Sequence, residues 1–447
     1  MKYVVIGGDA AGMSAASRLK RVKPEEEVIV FEKTEDVSYS ACGMPYNIAD
    51  EKNPMQKLVV RNAETFRTKQ NIDLRTGHKA TGIDKNKKIV FGEKSDGSTF
   101  KEQYDKLLIA TGASAIIPEI HGINNEAVFV LKTLNDGKKI KNFIENKKPQ
   151  TALIIGMGYI ALEMAEALST RGIKVTMIKK RQQLLPWMLP ELSNIVGKEL
   201  ADNKIEFFPG QPLKAITKEE SSLIIKTDKD NFKADMVLIA IGVKPSSELA
   251  DSCGIKLGKN EAISIDSNMK TSVADIFAAG DCADCMNIVS GQKTWTPLAL
   301  TANRGGRIAA DNMLEEKSSF PGITNTSVFK AFNLEIAKTG LTLDEAERAG
   351  FTPVYKVIES KSKAHVYKDA APIHLSFIAD KKTGRILGSQ IVGTEGAARR
   401  INSAAVALKA EMTLEDFYNC DLAYAPPFSP VWDPLLTAAS ILMKQID

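Results

Sequence analysis

The sequence predicts an α/β fold in which two Rossmann-like units precede a C-terminal α+β region. The order buried strand, glycine turn, helix and second strand occurs at residues 3–32 and again at residues 151–179, and this order is typical of a parallel, doubly wound sheet. From about residue 326 the pattern changes to short strands separated by polar turns and followed by helices. That change indicates an antiparallel sheet with helices beside it.

Length and composition limit what the protein can be. A chain of 447 residues is too long for one hydrophobic core, so roughly two to four domains are expected. Charged residues make up 26% and the net charge is +4 without a basic block, so no nucleic-acid partner is expected. No apolar run is long enough to span a membrane, and glycines interrupt the N-terminal apolar run, which argues against a signal peptide. Five cysteines imply no disulfide framework, and we expect a cytoplasmic protein.

The first unit begins with an apolar strand at residues 3–6 and continues through Gly7-Gly8-Asp9-Ala10-Ala11-Gly12. A helix follows, and a second strand at residues 28–31 ends in Glu32. In a dinucleotide fingerprint the glycines allow the tight turn, the helix N-terminus binds the pyrophosphate and the acid binds ribose hydroxyls. Asp9 stands where the second glycine is usual, so a chance glycine-rich turn is the alternative. The predicted contacts are Gly7, Asp9, Ala10, Gly12, Glu32 and Lys33.

The second unit matches the fingerprint more closely. Its strand at residues 151–155 leads into Gly156-Met157-Gly158-Tyr159-Ile160-Ala161, a helix, and a strand at residues 174–178. Lys179-Lys180-Arg181 then stands in place of the usual acid, and three cations suit a ribose 2′-phosphate, so NADPH is favoured over NADH. A solvated basic turn is the alternative. The predicted contacts are Gly156, Gly158, Tyr159, Ile160, Glu163, Lys179, Lys180 and Arg181. Two fingerprints predict two dinucleotides, FAD and a nicotinamide nucleotide.

One cysteine, Cys42, lies between these two units, in the stretch Ser38-Tyr39-Ser40-Ala41-Cys42-Gly43-Met44-Pro45-Tyr46. Gly43 and Pro45 suit a turn into the start of a helix. A thiol reacts as the thiolate, and a helix N-terminus or a nearby cation lowers its pKa. Taken alone, Cys42 could be a buried structural cysteine. Its position between two cofactor-binding units favours a redox nucleophile.

Three more strands run into glycine turns, which read Ala110-Thr111-Gly112, Ala240-Ile241-Gly242 and Ala279-Gly280-Asp281. With these turns the chain resembles the pyridine nucleotide-disulfide oxidoreductase superfamily over nearly its whole length. The resemblance implies that segments 1–115 and 243–325 bind FAD and that an NAD(P)H domain, 116–242, is inserted between them. It also implies that residues 326–447 form a dimerisation domain. The further contacts that it implies are Ala110, Thr111, Gly112, Gly280, Asp281, Pro297 and Ala299 for FAD, and Gly242 for the nicotinamide nucleotide.

Within the superfamily the chain resembles the single-cysteine branch, which holds coenzyme A-disulfide reductases, persulfide reductases, and NADH oxidases and peroxidases. Asn47 stands where glutathione reductase-like members place a second redox cysteine, and no histidine follows His374. The branch implies that Cys42 cycles through a mixed disulfide, a persulfide or a sulfenic acid. Oxidases and peroxidases of the branch carry a catalytic histidine at the position of Ala10, which counts against an oxidase.

Coenzyme A-disulfide reductases resemble this chain in a Tyr-Ala-Pro-Pro stretch, which here begins at Tyr424. In that family the tyrosine reaches the active site of the partner subunit, so the resemblance implies a homodimer with Tyr424 as a catalytic residue. Tyr367 corresponds to a second family tyrosine, although the residues around it depart from the family motif.

The same resemblance implies a coenzyme A pocket, formed by Ser14, Arg18, Arg21, Ser38 and Asn303. Ala41, Gln70 and Trp432 replace residues that the family uses to bind coenzyme A. The arginines could equally form a solvated helix face. A smaller persulfide or polysulfide therefore stays open as the substrate.

Cys282 and Cys285 form a Cys-x-x-Cys pair, but Cys282 belongs to the flavin motif and no further metal ligands are visible. We expect neither a second redox centre nor a metal site there. The sequence thus predicts an FAD enzyme that passes electrons from NADPH, or NADH, to Cys42, which reduces a small disulfide, persulfide, polysulfide or coenzyme A derivative. An NAD(P)H oxidase of the same fold is one alternative. An electron-transfer reductase for a small redox protein, which would not need Cys42, is another.

Overall fold

A computed structural model describes residues 1–220 and 222–446 of the protein. The first sheet has five parallel strands, in the order Ile276–Ala278, Lys106–Ile109, Lys2–Ile6, Glu27–Phe31 and Asp73–Arg75. The residues of the central strands are almost wholly buried, as expected for parallel strands covered on both faces. Residues far apart in the chain therefore share one sheet.

Two helices pack closely against each other beside this sheet, Ala10–Val22 and Ala299–Met313. A Cβ atom on Gly306 would lie 2.1 Å from the carbonyl oxygen of Ala11, so only glycine allows this approach. The helix Ala10–Val22 begins directly after Asp9, its N-cap residue. The other elements in this part of the chain are the helices Met44–Ala49, Ala63–Gln70 and Glu248–Ser252, the antiparallel strands His78–Asp84, Ile89–Lys94 and Thr99–Gln103, and the hairpin Cys285–Asn287 and Gln292–Thr294.

The second sheet repeats this design with five parallel strands, in the order Glu206–Pro209, Lys174–Lys179, Thr151–Ile155, Met236–Ile239 and Val128–Phe129. The helices of this unit are Leu134–Lys147, Tyr159–Thr170 and Pro190–Asp202. Three antiparallel strands lie beside the sheet: Leu213–Glu219, Ser222–Thr227 and Asn231–Ala234. Where the chain enters and leaves this unit, Ala113–Ala115 pairs antiparallel with Val243–Pro245.

The C-terminal part contains an antiparallel sheet and four helices. Its strands follow the order Ser327–Ala331, Leu334–Gly340, Ile386–Gly393, Pro372–Asp380 and Pro353–Tyr355, and Ile358–Lys361 also pairs with Pro372–Asp380. Its helices are Leu343–Arg348, Ala397–Lys409, Leu414–Tyr418 and Pro434–Met443. The predicted fold class, with two Rossmann-type units and a C-terminal α+β part, is confirmed. Within the described ranges, no helix combines the length and apolar character needed to cross a membrane.

Side chains join the second unit to the C-terminal sheet. Buried Gln390 accepts a hydrogen bond from the Leu189 N–H (2.8 Å) and donates one to the Trp187 carbonyl (3.1 Å). Glu166 accepts hydrogen bonds from the Lys330 ammonium and from the Phe332 N–H, the latter at 2.8 Å. These contacts hold the second unit against the C-terminal sheet, at the strands Ser327–Ala331 and Ile386–Gly393.

Candidate active site

Both glycine turns are built in the same way. Gly7 has φ of +116°, and a Cβ atom on it would lie 2.1 Å from the Ala110 carbonyl oxygen. Gly156 has φ of +133°, and its Cβ would lie 2.0 Å from the Ala240 carbonyl oxygen. An L-residue rarely adopts such a φ, and neither position has room for a side chain. In both units the first glycine turn therefore packs directly against the second, at Ala110-Thr111-Gly112 and Ala240-Ile241-Gly242.

The first turn fits the phosphates and ribose of a dinucleotide. The helix Ala10–Val22 has no side-chain cap at its N-terminus, so its first N–H groups remain available to an anion. Glu32, followed by exposed Lys33, accepts hydrogen bonds from the Gly8 and Thr34 N–H groups, both at 2.8 Å. Burial raises the pKa of Asp9 to about 6, so this carboxyl is protonated more easily than an ordinary aspartate.

The Gly-Asp turn supplies a second part of this site. Gly280 has φ of +85°, and the carboxylate of Asp281 lies 3.0 Å from the Lys132 ammonium nitrogen. The indole N–H of Trp295 donates a 2.8 Å hydrogen bond to the Asp281 carbonyl. Pro297 and Ala299 lie at the N-terminus of the helix Ala299–Met313, which also lacks a side-chain cap. Sequence reasoning missed Lys132, because an isolated lysine before a helix carries no motif.

Cys42 lies in a 3₁₀ turn, Ala41–Gly43, that runs directly into the helix Met44–Ala49. The predicted helix start with Pro45 in its first turn is present. The Cys42 side chain keeps contact with solvent, yet the surrounding atoms desolvate its sulfur enough to raise the pKa of the thiol. The charge of Glu163 raises it further, and the Lys132 cation opposes both effects. Burial and the nearby acids thus outweigh the Lys132 cation, and the pKa of the Cys42 thiol is raised.

Glu163 lies on the helix Tyr159–Thr170, which follows the second glycine turn. Its Oε1 atom accepts a 2.9 Å hydrogen bond from the hydroxyl of Tyr46, which follows Cys42 by one helical turn. Burial raises the pKa of Glu163 to about 7, and the charge of Glu166 adds to this while the Tyr46 hydrogen bond opposes it. The carboxyl can therefore take up or release a proton near neutral pH.

At the second nucleotide site, Gly158 is the N-cap of the helix Tyr159–Thr170, and no atom lies within 4 Å of its would-be Cβ position. Gly242, with φ of +124°, lies in the facing turn, and Ile160 is part of the first helical turn. The ring of Tyr159 packs 4.7 Å from that of Phe329, and its hydroxyl lies 3.2 Å from the Ser327 hydroxyl. The turn thus leaves room for backbone to approach a phosphate, while Tyr159 covers the adjoining surface.

The three cations after the strand Lys174–Lys179 differ in their contacts. The Lys179 ammonium donates to the carbonyls of Gln183 (2.8 Å) and Leu184 (3.1 Å), and burial together with Arg181 lowers its pKa. Lys180 and Arg181 are exposed. Lys179 therefore holds its own loop, and only the other two cations face solvent where a ligand could bind.

A cavity of about 460 Å³ opens beside the helices Ala10–Val22 and Ala299–Met313. All five residues predicted for a substrate pocket line it, which are Ser14, Arg18, Arg21, Ser38 and Asn303. The Ser14 hydroxyl donates a 2.6 Å hydrogen bond to Asn303, and Arg18 pairs with Asp311 at 2.6 Å. Ser38, four residues before Cys42, has φ of +48°, which is uncommon for a residue other than glycine. The cavity thus reaches the segment that carries the cysteine.

Three further arginines line this cavity, namely Arg61, Arg304 and Arg307. The Arg61 guanidinium lies over the ring of Phe66, with 5.3 Å between them. Sequence reasoning did not assign these residues to a pocket, because residue 61 is distant in sequence from the helix that carries the other two. The facing arginines Arg304 and Arg307 are three residues apart on one helix, and this i, i+3 spacing was the available signal.

The family model described as pyridine nucleotide-disulphide oxidoreductase matches residues 1–306, and the dimerisation domain of the same family matches residues 326–435. The chain belongs to this family. It is 40% identical over 442 residues, 99% of each chain, to the NAD(P)H sulfur oxidoreductase (CoA-dependent) of Pyrococcus furiosus. It is 34% identical to the NADH oxidase of Methanocaldococcus jannaschii, over all of this chain and 99% of the other. The solved structure of an NAD-dependent persulfide reductase from A. fulgidus superposes with a TM-score of 0.96 at 35% identity, over 99% of this chain and 83% of that one.

Membership confirms that the protein is a flavin oxidoreductase of a family that uses FAD and NAD(P)H. The two matched glycine turns, Glu32 and Asp281 are the residues that would hold FAD and the nicotinamide nucleotide.

The dimerisation domain carries both predicted tyrosines on its surface. Tyr367 and Tyr424 are 37% and 48% exposed, and their loops touch, because the Ala364 N–H donates to the Pro426 carbonyl. Exposed apolar side chains surround them in the same loops: Val366, Phe428, Val431 and Trp432. Both tyrosines therefore lie on a surface that also exposes apolar side chains.

Cys282 and Cys285 are buried and are not joined by a disulfide. The Cys282 thiol contacts the carbonyls of Ile109 and Ala279, both at 3.4 Å, while burial raises the pKa of Cys285 to about 12. Within residues 1–220 and 222–446, no three His, Cys, Asp or Glu side chains are grouped as a metal site would require.

Proposed function

We propose that the protein uses NADPH, or NADH, to reduce a low-molecular-weight persulfide, polysulfide or disulfide of coenzyme A, with Cys42 as its redox thiol. The observation that carries this proposal is the arginine-lined cavity, which reaches Ser38, four residues before the cysteine. Arginine binds phosphate groups through several donors at once, and coenzyme A carries three phosphates on a thiol. The names of the relatives in Pyrococcus and A. fulgidus support the same substrate class.

The chemistry at Cys42 is thiol exchange. Its thiolate attacks one sulfur of the substrate, so that a Cys42–S bond forms as the substrate S–S bond breaks and the first product leaves as a thiolate. Two electrons then cleave the mixed disulfide, which restores the Cys42 thiolate and, with one proton, releases the second thiol. When bound, FAD would supply these electrons after accepting hydride from the nicotinamide. Because burial raises the pKa of the Cys42 thiol, a ligand or cation bound nearby would favour the thiolate that attacks.

Each nucleotide contact has a role in this scheme. Segments 1–115 and 243–325 would hold FAD, with Asp281 on its ribityl chain and Glu32 on a ribose, while 116–242 would hold the nicotinamide nucleotide. Exposed Lys180 and Arg181 would contact a ribose 2′-phosphate, whereas Lys179 keeps the loop in shape. Glu163 would lie near the nicotinamide, where its titration near pH 7 links proton and nucleotide binding.

The active unit would be a homodimer formed through residues 326–447, with Tyr424 completing the site of the partner subunit. The exposed apolar surface around Tyr424 supports this arrangement, because a large apolar patch marks a protein contact. Tyr424 would orient the substrate or protonate the leaving thiolate, and Tyr367 in the adjoining loop would assist.

A substrate panel tests the proposal. Purified protein is assayed with NADPH and NADH against coenzyme A persulfide, coenzyme A disulfide, polysulfide, glutathione disulfide and dioxygen. We expect the coenzyme A compounds to give the highest kcat/KM. Arg61→Ala and Arg304→Ala should each raise KM for them by about tenfold, the loss expected for one charge-assisted contact. Arg348→Ala, an exposed arginine on the helix Leu343–Arg348, serves as the control. Dioxygen turnover faster than any sulfur substrate would instead establish an NAD(P)H oxidase.

A further inference from the structure

The segment that carries Cys42 lies against the helix Leu134–Lys147 of the nucleotide-binding unit next to it. Gly137 of that helix packs closely on this segment, since a Cβ atom there would lie 2.9 Å from the terminal methyl of Met55 and 3.4 Å from the sulfur of Met44. Lys138, the next residue, forms a 2.7 Å ion pair with Asp36.

One turn further along, Lys141 is a lysine only 5% exposed, and no carboxylate side chain pairs with it among the described residues. Its ammonium donates to the carbonyl of Asp50 at 2.6 Å, to that of Asn47 at 3.1 Å, and to that of Asn53. The Asn47 side-chain oxygen is a fourth acceptor at 3.3 Å. A buried lysine is stabilised only by such partners, so this arrangement is specific to the ammonium.

These carbonyls lie at and just beyond the end of the helix Met44–Ala49, which follows the turn that carries Cys42. A cation binds favourably at the C-terminus of a helix. Arg171, also from the second unit, donates to the Ile48 carbonyl of the same helix at 3.2 Å. The helix Met44–Ala49 has only six residues, so its position depends on what holds its ends.

We propose that Lys141 is a positioning residue for the redox cysteine, because it binds the carbonyls at the end of the helix Met44–Ala49 and so fixes the turn Ala41–Gly43, which carries the thiol. This inference rests on the proposed function only in giving Cys42 the redox role. The Lys141 ammonium donates to Asn47, Asp50 and Asn53, so it acts on the cysteine through the helix. The nucleotide-binding unit therefore sets the geometry of a cysteine that belongs to the other unit.

The test uses the FAD-loaded dimeric protein and two readouts that need no substrate. Lys141→Met keeps a long side chain and removes its hydrogen-bond donors, while Lys141→Arg keeps donors. Lys139→Met, which changes an exposed lysine on the same helix, is the matched control. Hydrogen exchange of residues 44–53 and the rate of Cys42 alkylation by iodoacetamide are measured across pH. For Lys141→Met we expect at least tenfold faster exchange confined to this segment, and an alkylation rate changed at least fivefold. Lys141→Arg should restore part of both.

Turnover gives the third readout. Lys141→Met should lower kcat with the sulfur substrate at least tenfold, while flavin reduction by NADPH and its KM stay within twofold of wild type. Exchange and alkylation that match the Lys139→Met control would overturn the proposal. If Lys141→Met does not fold, Arg171→Met is used in its place, and we expect a smaller increase in the exchange of residues 44–53. Unchanged exchange of this segment in Arg171→Met also overturns the proposal. Wild-type protein inactive with every sulfur substrate would refute the proposed function, while exchange and alkylation would still decide the role of Lys141.

Discussion

The hydroxyl of Tyr46 donates a 2.9 Å hydrogen bond to the carboxylate of Glu163. This contact joins the helix that follows Cys42 to the helix that follows the second glycine turn. The hydrogen bond favours the ionised carboxylate, whereas burial favours the neutral acid and raises the pKa of Glu163 to about 7. Near neutral pH, Tyr46 thus favours the ionised form of Glu163 and opposes the effect of burial.

Tyr46→Phe should raise the pKa of Glu163 further, because the ionised form loses its donor. A hydrogen bond to a charged group contributes about 1.5–3 kcal/mol and about 1.36 kcal/mol corresponds to one pKa unit, so the shift should be about one unit or more. The pH dependence of NADPH binding, followed by flavin reduction in stopped flow, should move upward accordingly. An unmoved profile would mean that Glu163 does not govern binding. Tyr104→Phe, a buried tyrosine away from the site, is the control.

Glu163 should also make the protein less stable as pH rises. Its ordinary pKa is 4.5 and its pKa in the folded protein is about 7, so between these values the folded state keeps a proton that the unfolded chain releases. The free energy of unfolding from this group therefore falls through that window as pH rises. Glu163→Gln should flatten this part of the profile of thermal midpoint against pH, measured between pH 4.5 and 8. Asp9, with a pKa of about 6, adds a smaller decline at lower pH that the variant should retain.

Cys42→Ser should separate the two half-reactions. The variant should bind FAD and accept electrons from NADPH at the normal rate, because Cys42 contributes to neither glycine turn. Disulfide and persulfide reduction should be lost, since a hydroxyl cannot form the mixed disulfide. Stopped-flow flavin reduction and steady-state turnover measure the two steps. Cys420→Ser, which changes a partly exposed cysteine of the last domain, should retain both activities. Near-normal turnover of Cys42→Ser would disprove thiol exchange at this residue.

Arg181→Glu should shift the choice of nucleotide from NADPH toward NADH. Loss of a charge-assisted phosphate contact weakens NADPH binding by about 1.5–3 kcal/mol, or roughly ten- to hundredfold. NADH lacks the 2′-phosphate and should be spared. The comparison is KM for both nucleotides, with Lys226→Glu on the strand Ser222–Thr227 as a control of equal charge change. Equal losses for both nucleotides would place Arg181 away from the 2′-phosphate.

Tyr424→Phe tests the shared active site of the homodimer. If Tyr424 is a general acid for the partner's cysteine, the variant should form intact dimers, reduce flavin normally and turn over disulfide up to about 100-fold more slowly. A mixture of Cys42→Ser and Tyr424→Phe proteins should regain activity after subunit exchange, because each mixed dimer has one site without a lesion. Analytical ultracentrifugation and turnover assays follow both events. No recovery despite proven exchange would assign both residues to one subunit's site or remove Tyr424 from the chemistry.

The sequence predicted those features that depend on local backbone geometry. Gly7 and Gly156 adopt the positive φ that their motifs require, and the helix after Cys42 starts where Gly43 and Pro45 indicated. The five proposed pocket residues gather round one cavity, because a helix places Ser14, Arg18 and Arg21 on one side.

Contacts between distant segments could not be predicted in this way. The pairing of Tyr46 with Glu163 spans 117 residues and that of Lys132 with Asp281 spans 149, and neither pair has a sequence pattern. In the sequence, Lys179-Lys180-Arg181 looks like one basic turn, although the Lys179 ammonium donates to the Gln183 carbonyl in its own loop. The helix Leu134–Lys147 went unrecognised despite the Thr133 capping box at its start. The pKa of Cys42 is raised by burial and then by the acids that the fold brings close to it, and no local motif reveals either.

The contacts of Gln390 and Glu166 with the C-terminal sheet have a mechanical consequence. Rotation of the second unit as a rigid body would break the bonds to Leu189, Trp187, Lys330 and Phe332 together. Short displacements of side chains such as Tyr159 leave these bonds intact. Movement of single side chains, and not rotation of the whole second unit, is therefore the motion that leaves this interface intact.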